Sequence, residues 1–160
     1  MTSHWTRLDV PAIAAALATD ESGSWAQASA WERAFSVLNT HAAKVRIARD
    51  KLTESWPPEK SPAANAYMIR LDNLIASLTD SANAAIANRD ALIGVLTALA
   101  LARTRVQVLH EAWQEYSRRD NSRHSFTANG IVAITSPPGW AQDLNAKAHA
   151  VSAELDQTVF

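Results

Sequence analysis

Trp56-Pro57-Pro58 is the stretch that most constrains what this chain can fold into. Proline has no amide hydrogen and pushes the residue before it away from helical angles, so two in succession end any helix that reaches them. Just beyond, Ser61-Pro62 offers a capping hydroxyl and then a proline at the first helical position, where a missing amide hydrogen costs nothing. The chain is therefore predicted to fold back at an elbow over residues 56–61, between a helix that begins near residue 24 and a second that runs from Pro62 to about Arg119.

Both arms carry an apolar stripe. In the first, Trp31, Phe35, Leu38, Ala42, Val45 and Leu52 are spaced four, three, four, three and then seven, which is a heptad seam. Arg49 occupies the skipped position, where its long stem can lie along the seam while its charge reaches solvent or an acidic residue. In the second arm Tyr67, Leu71, Leu74 and Leu78 open the seam, Ala82 and Ala85 narrow it, and Leu92, Leu96, Leu99, Val106, Leu109 and Trp113 resume it. At 1.5 Å per residue the first helix spans roughly 45–50 Å and the second roughly 85 Å. An antiparallel hairpin of these two leaves the stretch from Val95 to Trp113 without a partner inside the hairpin, and soluble monomers do not leave such a strip bare. Three candidates can cover it: the N-terminal segment, the C-terminal segment or another protein. Alternatively the second helix breaks at Gly94 and its end folds back.

The flanks fit this scheme. Residues 1–23 form an N-terminal flap in which Asp9-Val10-Pro11 caps a short helix ending near Thr19, with Ile13 and Leu17 on one face. Residues 120–139 read as a linker, polar at first and closed by Ser136-Pro137-Pro138-Gly139, with Ile131 to Thr135 an extended segment pressed into a helix groove. Residues 140–160 form a last amphipathic helix with Leu144, Ala148, Val151 and Leu155 on one stripe. The predicted fold is a single all-α domain over 1–160: a long antiparallel hairpin with short flanking helices.

Composition removes several functions. Fifteen basic and sixteen acidic residues leave a net charge of −1, without the basic footprint of a nucleic-acid binder. There is no cysteine, hence no disulfide or thiolate metal site. The N-terminus carries no cleavable signal pattern, and the apolar run from Ala91 to Ala102 is too short to span a bilayer, so no membrane insertion is expected. His4, His41, His110, His124 and His149 are scattered, with no helical pair at metal-ligand spacing, and no phosphate-cradling glycine loop is present. No catalytic residue, cofactor or metal is predicted, and the chain reads as non-enzymatic.

A hairpin with tryptophan at its elbow, followed by Ala63-Ala64-Asn65-Ala66-Tyr67 and Arg70-Leu71-Asp72-Asn73-Leu74, resembles the W-x-G family of type VII (ESX) secretion substrates. Tyr116-Ser117-Arg118-Arg119-Asp120 is similar to the Y-x-x-x-D/E export signal that such hairpins carry at the end of their second helix. Here Pro58 stands where the family has glycine, the turn is longer, and the long second arm is closer to the larger PPE-like members. The resemblance covers roughly residues 25–120. It implies a partner, another helical hairpin in a homo- or heterodimeric four-helix bundle or a larger effector, and recognition by a secretion ATPase or chaperone. It also implies residence in the cytoplasm before export and then outside the cell. Tyr116 and Asp120 would be the export contact, Trp56, Pro57 and Pro58 the elbow, and Leu96, Leu99, Val106, Leu109 and Trp113 the partner interface. A cytosolic adaptor that self-associates and is never exported is the alternative.

Overall fold

The computed structural model describes residues 4–126 and 136–159. Every described element is helical. Helix α1 spans Val10–Leu17, α2 Ser22–Ser55, α3 Pro62–Phe126 and α4 Trp140–Val159, with short 3-10 turns at His4–Arg7 and Pro58–Lys60. These gather into two compact units: one of Met1–Glu21 with Gly94–Phe160, here the terminal unit, and one of Ser22–Ile93, the elbow unit.

In the elbow unit, proline chemistry acts where it should. The last amide to join α2 is that of Trp56, which donates to the Leu52 carbonyl at 2.7 Å. Pro57 is extended (φ −59°, ψ 129°), Lys60 closes the 3-10 turn on Pro57 at 3.1 Å, and Ser61 is extended again. The Ser61 hydroxyl then accepts the Ala64 amide at 3.4 Å, giving α3 its cap. The buried apolar side chains of this unit are mostly small: Ala28, Ala42, Ala64, Met68, Ala82 and Ala85. Trp31, Phe35, Leu38, Val45 and Leu52 are half-buried.

The opening of the α3 seam differs from the expected one. Tyr67 is 47% exposed and Leu74 45%, while Ala64 and Met68, with half-buried Leu71, Ile75 and Leu78, hold the inner positions. Leu71, Leu78, Ala82 and Ala85 of the expected seam do face inward, but at two positions the largest apolar residues misled, because the distance between packed helices follows the side chains between them, and small ones permit close approach. Side-chain contacts link α2 and α3. Thr53 donates to the Met68 sulfur at 3.5 Å, Arg49 to Asp72 at 3.1 Å, and Arg89 to Glu32 at 3.5 Å. Arg49 therefore does reach an acidic residue from its seam position. The Asp72 carboxylate beside it raises the guanidinium pKa above its ordinary value.

The terminal unit is built differently. Asp9 caps α1 by accepting the Ala12 amide at 3.0 Å, and α1 ends at Leu17, two residues short of Thr19. Val10, Ile13 and Leu17 of α1 meet Ala102 and Val106 of α3 and Leu144, Ala148, Val151 and Leu155 of α4 in one buried cluster. Polar ties fix the N-terminal segment on α4: Trp5 Nε1 donates to Asp156 at 3.0 Å, the Val10 amide to Asn145 Oδ1 at 3.0 Å, and His149 Nε2 to the Leu8 carbonyl at 2.8 Å. From α3, Arg103 reaches the carbonyls of Leu17 (2.8 Å) and Thr19 (3.2 Å) and the Glu21 carboxylate (2.7 Å). One side chain thus satisfies carbonyls at the exit of α1, which a helix end otherwise leaves unpaired.

Helix α3 does not break at Gly94. That residue is exposed and a Cβ built on it would meet nothing within 4 Å, so the glycine is tolerated at the modest cost of its backbone freedom. The helix also runs on to Phe126, into the stretch expected to be linker, because no proline or glycine lies between Asp120 and Phe126 to end it. The extended segment expected at Ile131–Thr135 lies outside the described residues. By length and composition alone α3 is long and apolar enough to cross a membrane, which the run from Ala91 to Ala102 taken by itself is not.

Candidate functional site

Near the end of α3, Tyr116 and Asp120 lie one turn apart and both are half-buried. What covers them is the start of α4. Gly139 adopts φ +75°, a left-handed conformation that glycine enters without steric cost, and the chain turns there into α4. The turn brings the Trp140 indole against α3. Its ring lies 5.0 Å from that of Trp113 in an edge-on arrangement and 5.5 Å from that of Tyr116. The indole N–H donates to Asp120 Oδ2 at 2.9 Å, and the Ser136 hydroxyl donates to the Tyr116 carbonyl at 3.1 Å. Arg119, itself paired with Glu115 at 2.9 Å, lies 5.8 Å from the centre of the Tyr116 ring.

The Tyr116–Asp120 pair is thus one side of an aromatic junction with Trp140 and Ser136. Chemically the junction offers an aromatic face, a carboxylate and a flanking cation, which suits recognition by another protein. Trp140 was legible as a helix start, but nothing in the spacing tied its indole to Asp120, because that contact depends on the path of residues between the helices.

The strip assigned to a partner is occupied from within the chain. Val106 is 1% exposed inside the α1–α3–α4 cluster, and Leu99, Leu109 and Trp113 pack against it half-buried. Leu96 is 2% exposed. Of the three candidates for covering this strip, the N-terminal and C-terminal segments supply the contacts at Leu99, Val106, Leu109 and Trp113. Leu101 and Val108 of the same arm are each 61% exposed.

In the elbow unit the large apolar side chains left to solvent include Trp25, Val37, Trp56, Tyr67 and Leu74. Trp56 and Tyr67 contact one another with ring centres 6.5 Å apart, so the elbow carries an exposed aromatic pair. Pro57 and Pro58 are half-buried beside it. Among the described residues no group of three or more histidine, aspartate or glutamate side chains is arranged to hold a metal ion. Comparison of the chain with protein-family models, with curated proteins and with solved structures found no match.

Proposed function

We propose that this chain is a non-enzymatic helical protein that pairs with another helical protein and is exported with it through a type VII secretion system. In this reading α2 and the first half of α3 form an antiparallel hairpin. The side-chain contacts between them support that register: from Thr53–Met68 to Arg49–Asp72, four steps back along α2 match four steps forward along α3, and from there to Glu32–Arg89 seventeen match seventeen.

The observation that carries the pairing is the exposed aromatic and aliphatic surface at the elbow, with Trp56 at 40%, Tyr67 at 47% and Leu74 at 45%. A two-helix layer buries only one side of each helix and gains stability from a second layer. Tyr116 and Asp120 are the export contact: they share a face close to the end of α3 and retain accessible surface. The test is export of the tagged chain from a type VII-competent cell with Tyr116→Ala and Asp120→Ala compared against wild type, pellet abundance and a lysis marker being recorded for each. Wild type in the medium with both variants retained at normal abundance supports the reading; equal export of all three removes the signal.

A second reading, a cytosolic helical adaptor that is not exported, has its own observation. The Trp140 indole and Ser136 hydroxyl already engage Asp120 and Tyr116, so the pair has a sufficient structural role at the α3–α4 junction. Under this reading Asp120→Ala lowers the melting temperature and alters nothing else.

A further inference from the structure

The two long sides of the elbow unit carry different charge. Taking Ala64, Met68, Leu71, Ile75, Leu78 and Ala82 as the inner stripe of α3, the helical repeat puts Ala63, Tyr67, Arg70, Leu74, Ser77 and Ser81 along one edge. Asn65, Ile69, Asp72, Asn83 and Asp90 fall along the other. On α2 the stripe from Ala28 to Leu52 likewise separates an edge of Ala34, His41, Ala48 and Ser55, backed by Val37, Lys44 and Lys51, from one holding Glu32, Asn39, Arg46 and Asp50. The ion pairs Arg49–Asp72 and Arg89–Glu32 tie the helices on the acidic side. The edges with Tyr67, Leu74 and Ala48 therefore share the opposite side.

That side is built for contact. Its large members are exposed, and alanine and serine fill much of what lies between them, which lets another backbone come close. Its charges have one sign: Lys44, Lys51 and Arg70 border it, and no acidic residue lies on these edges. Resting on the pairing reading above, we propose that this flank docks an amphipathic helix of a different protein, one whose apolar stripe is bordered by acidic residues. A second copy fits poorly. Face to face, two such flanks bring Lys44, Lys51 and Arg70 of each copy together, and like charges across an interface oppose association. Flank to acidic side is no better: Ile69 is exposed there, but Asp72 and Glu32 are already paired and Asn39, Asn65 and Asn83 surround it with polar groups.

The test titrates the full chain with a synthetic amphipathic helix about four heptads long, leucine and alanine on its stripe and glutamate on both borders, alongside the same peptide with lysine borders. The expected result is saturable binding of the glutamate peptide, at least about tenfold tighter than the lysine peptide, with a blue shift in tryptophan emission that Trp56→Phe diminishes. The triple variant Lys44→Glu, Lys51→Glu, Arg70→Glu reverses the preference, and Tyr67→Ser with Leu74→Ser loses both peptides, each at unchanged helical circular dichroism. Equal binding of the two peptides, binding of neither, or dimerisation of the chain alone that Tyr67→Ser with Leu74→Ser abolishes would overturn the proposal. None of these variants touches Tyr116 or Asp120, so the binding result and the export result fail independently.

Discussion

The two units solve the same problem in opposite ways. The terminal unit lays α1 and α4 over α3, and its apolar side chains meet in a closed cluster in which Val10 and Ile13 are fully buried and Val106 is 1% exposed. Among its own described residues the elbow unit has two long helices and no third: its buried positions are chiefly alanine, and its tryptophan, tyrosine and leucine stand at the margin or outside. A helix in a bundle of three can bury a wide stripe; one in a pair can bury only a seam. The difference separates a closed core from a seam that leaves large apolar side chains exposed.

The sharpest way to break that comparison is Val106→Asp. A carboxylate placed there has no partner in an apolar cluster, and the expected cost is about 4 kcal/mol or more. Denaturant unfolding should register it, with amide exchange accelerating in α1 and α4 first. Next comes Ile13→Ala, expected to cost about 2–5 kcal/mol through lost burial and the cavity left behind, again by denaturant unfolding. Tolerance of both would mean that the terminal cluster is not a core.

Gly94→Ala acts on the helix that both units use. The site is exposed and open, so alanine should stabilise by about 0.5–1 kcal/mol, read as a raised melting temperature; a lowered one would show that α3 bends there. Smallest of all is the paired change Tyr67→Ser and Leu74→Ser, which should shift the stability of the isolated chain by no more than about 0.5 kcal/mol each. A large loss would mean that these side chains pack within the chain well beyond the Trp56–Tyr67 ring contact. Arg49 adds no pH dependence near neutrality. Its raised folded-state pKa gives a stabilisation fully present below the unfolded value and lost only as pH climbs through the folded one, at strongly alkaline pH.

Much of this was legible in the sequence, for local reasons. Proline at 57, 58 and 62 and the Ser61 hydroxyl act on their own backbone, so the elbow could be read without knowing the fold, and the same holds for Asp9 at the start of α1. What could not be read depends on neighbours far along the chain. On α3 the expected Leu71, Leu78, Ala82 and Ala85 do face inward, but Tyr67 and Leu74 were added to the stripe because they are large, whereas Ala64 and Met68 hold inner positions because α2 comes close. The polar stretch after Arg119 looked like linker, yet polarity alone does not end a helix. The Tyr116–Asp120 spacing was visible, but its Trp140 cover requires α4 to return, and no local pattern announces that.

The terminal core has a consequence in time. Arg103 and the Leu17 carbonyl that it holds are 86 residues apart, and α1 must also meet Leu144 to Leu155 before Val10, Ile13 and Leu17 are covered. The elbow contacts, by contrast, close over as few as 15 residues. On the ribosome, at about 5–20 residues per second, α1 emerges well before α4 and waits on the order of ten seconds for the residues that cover it to be made. Through that interval α1 is a ready target for a chaperone, and pulse-labelled nascent chains halted before residue 140 should be cleaved by protease within residues 10–21 while the finished protein resists.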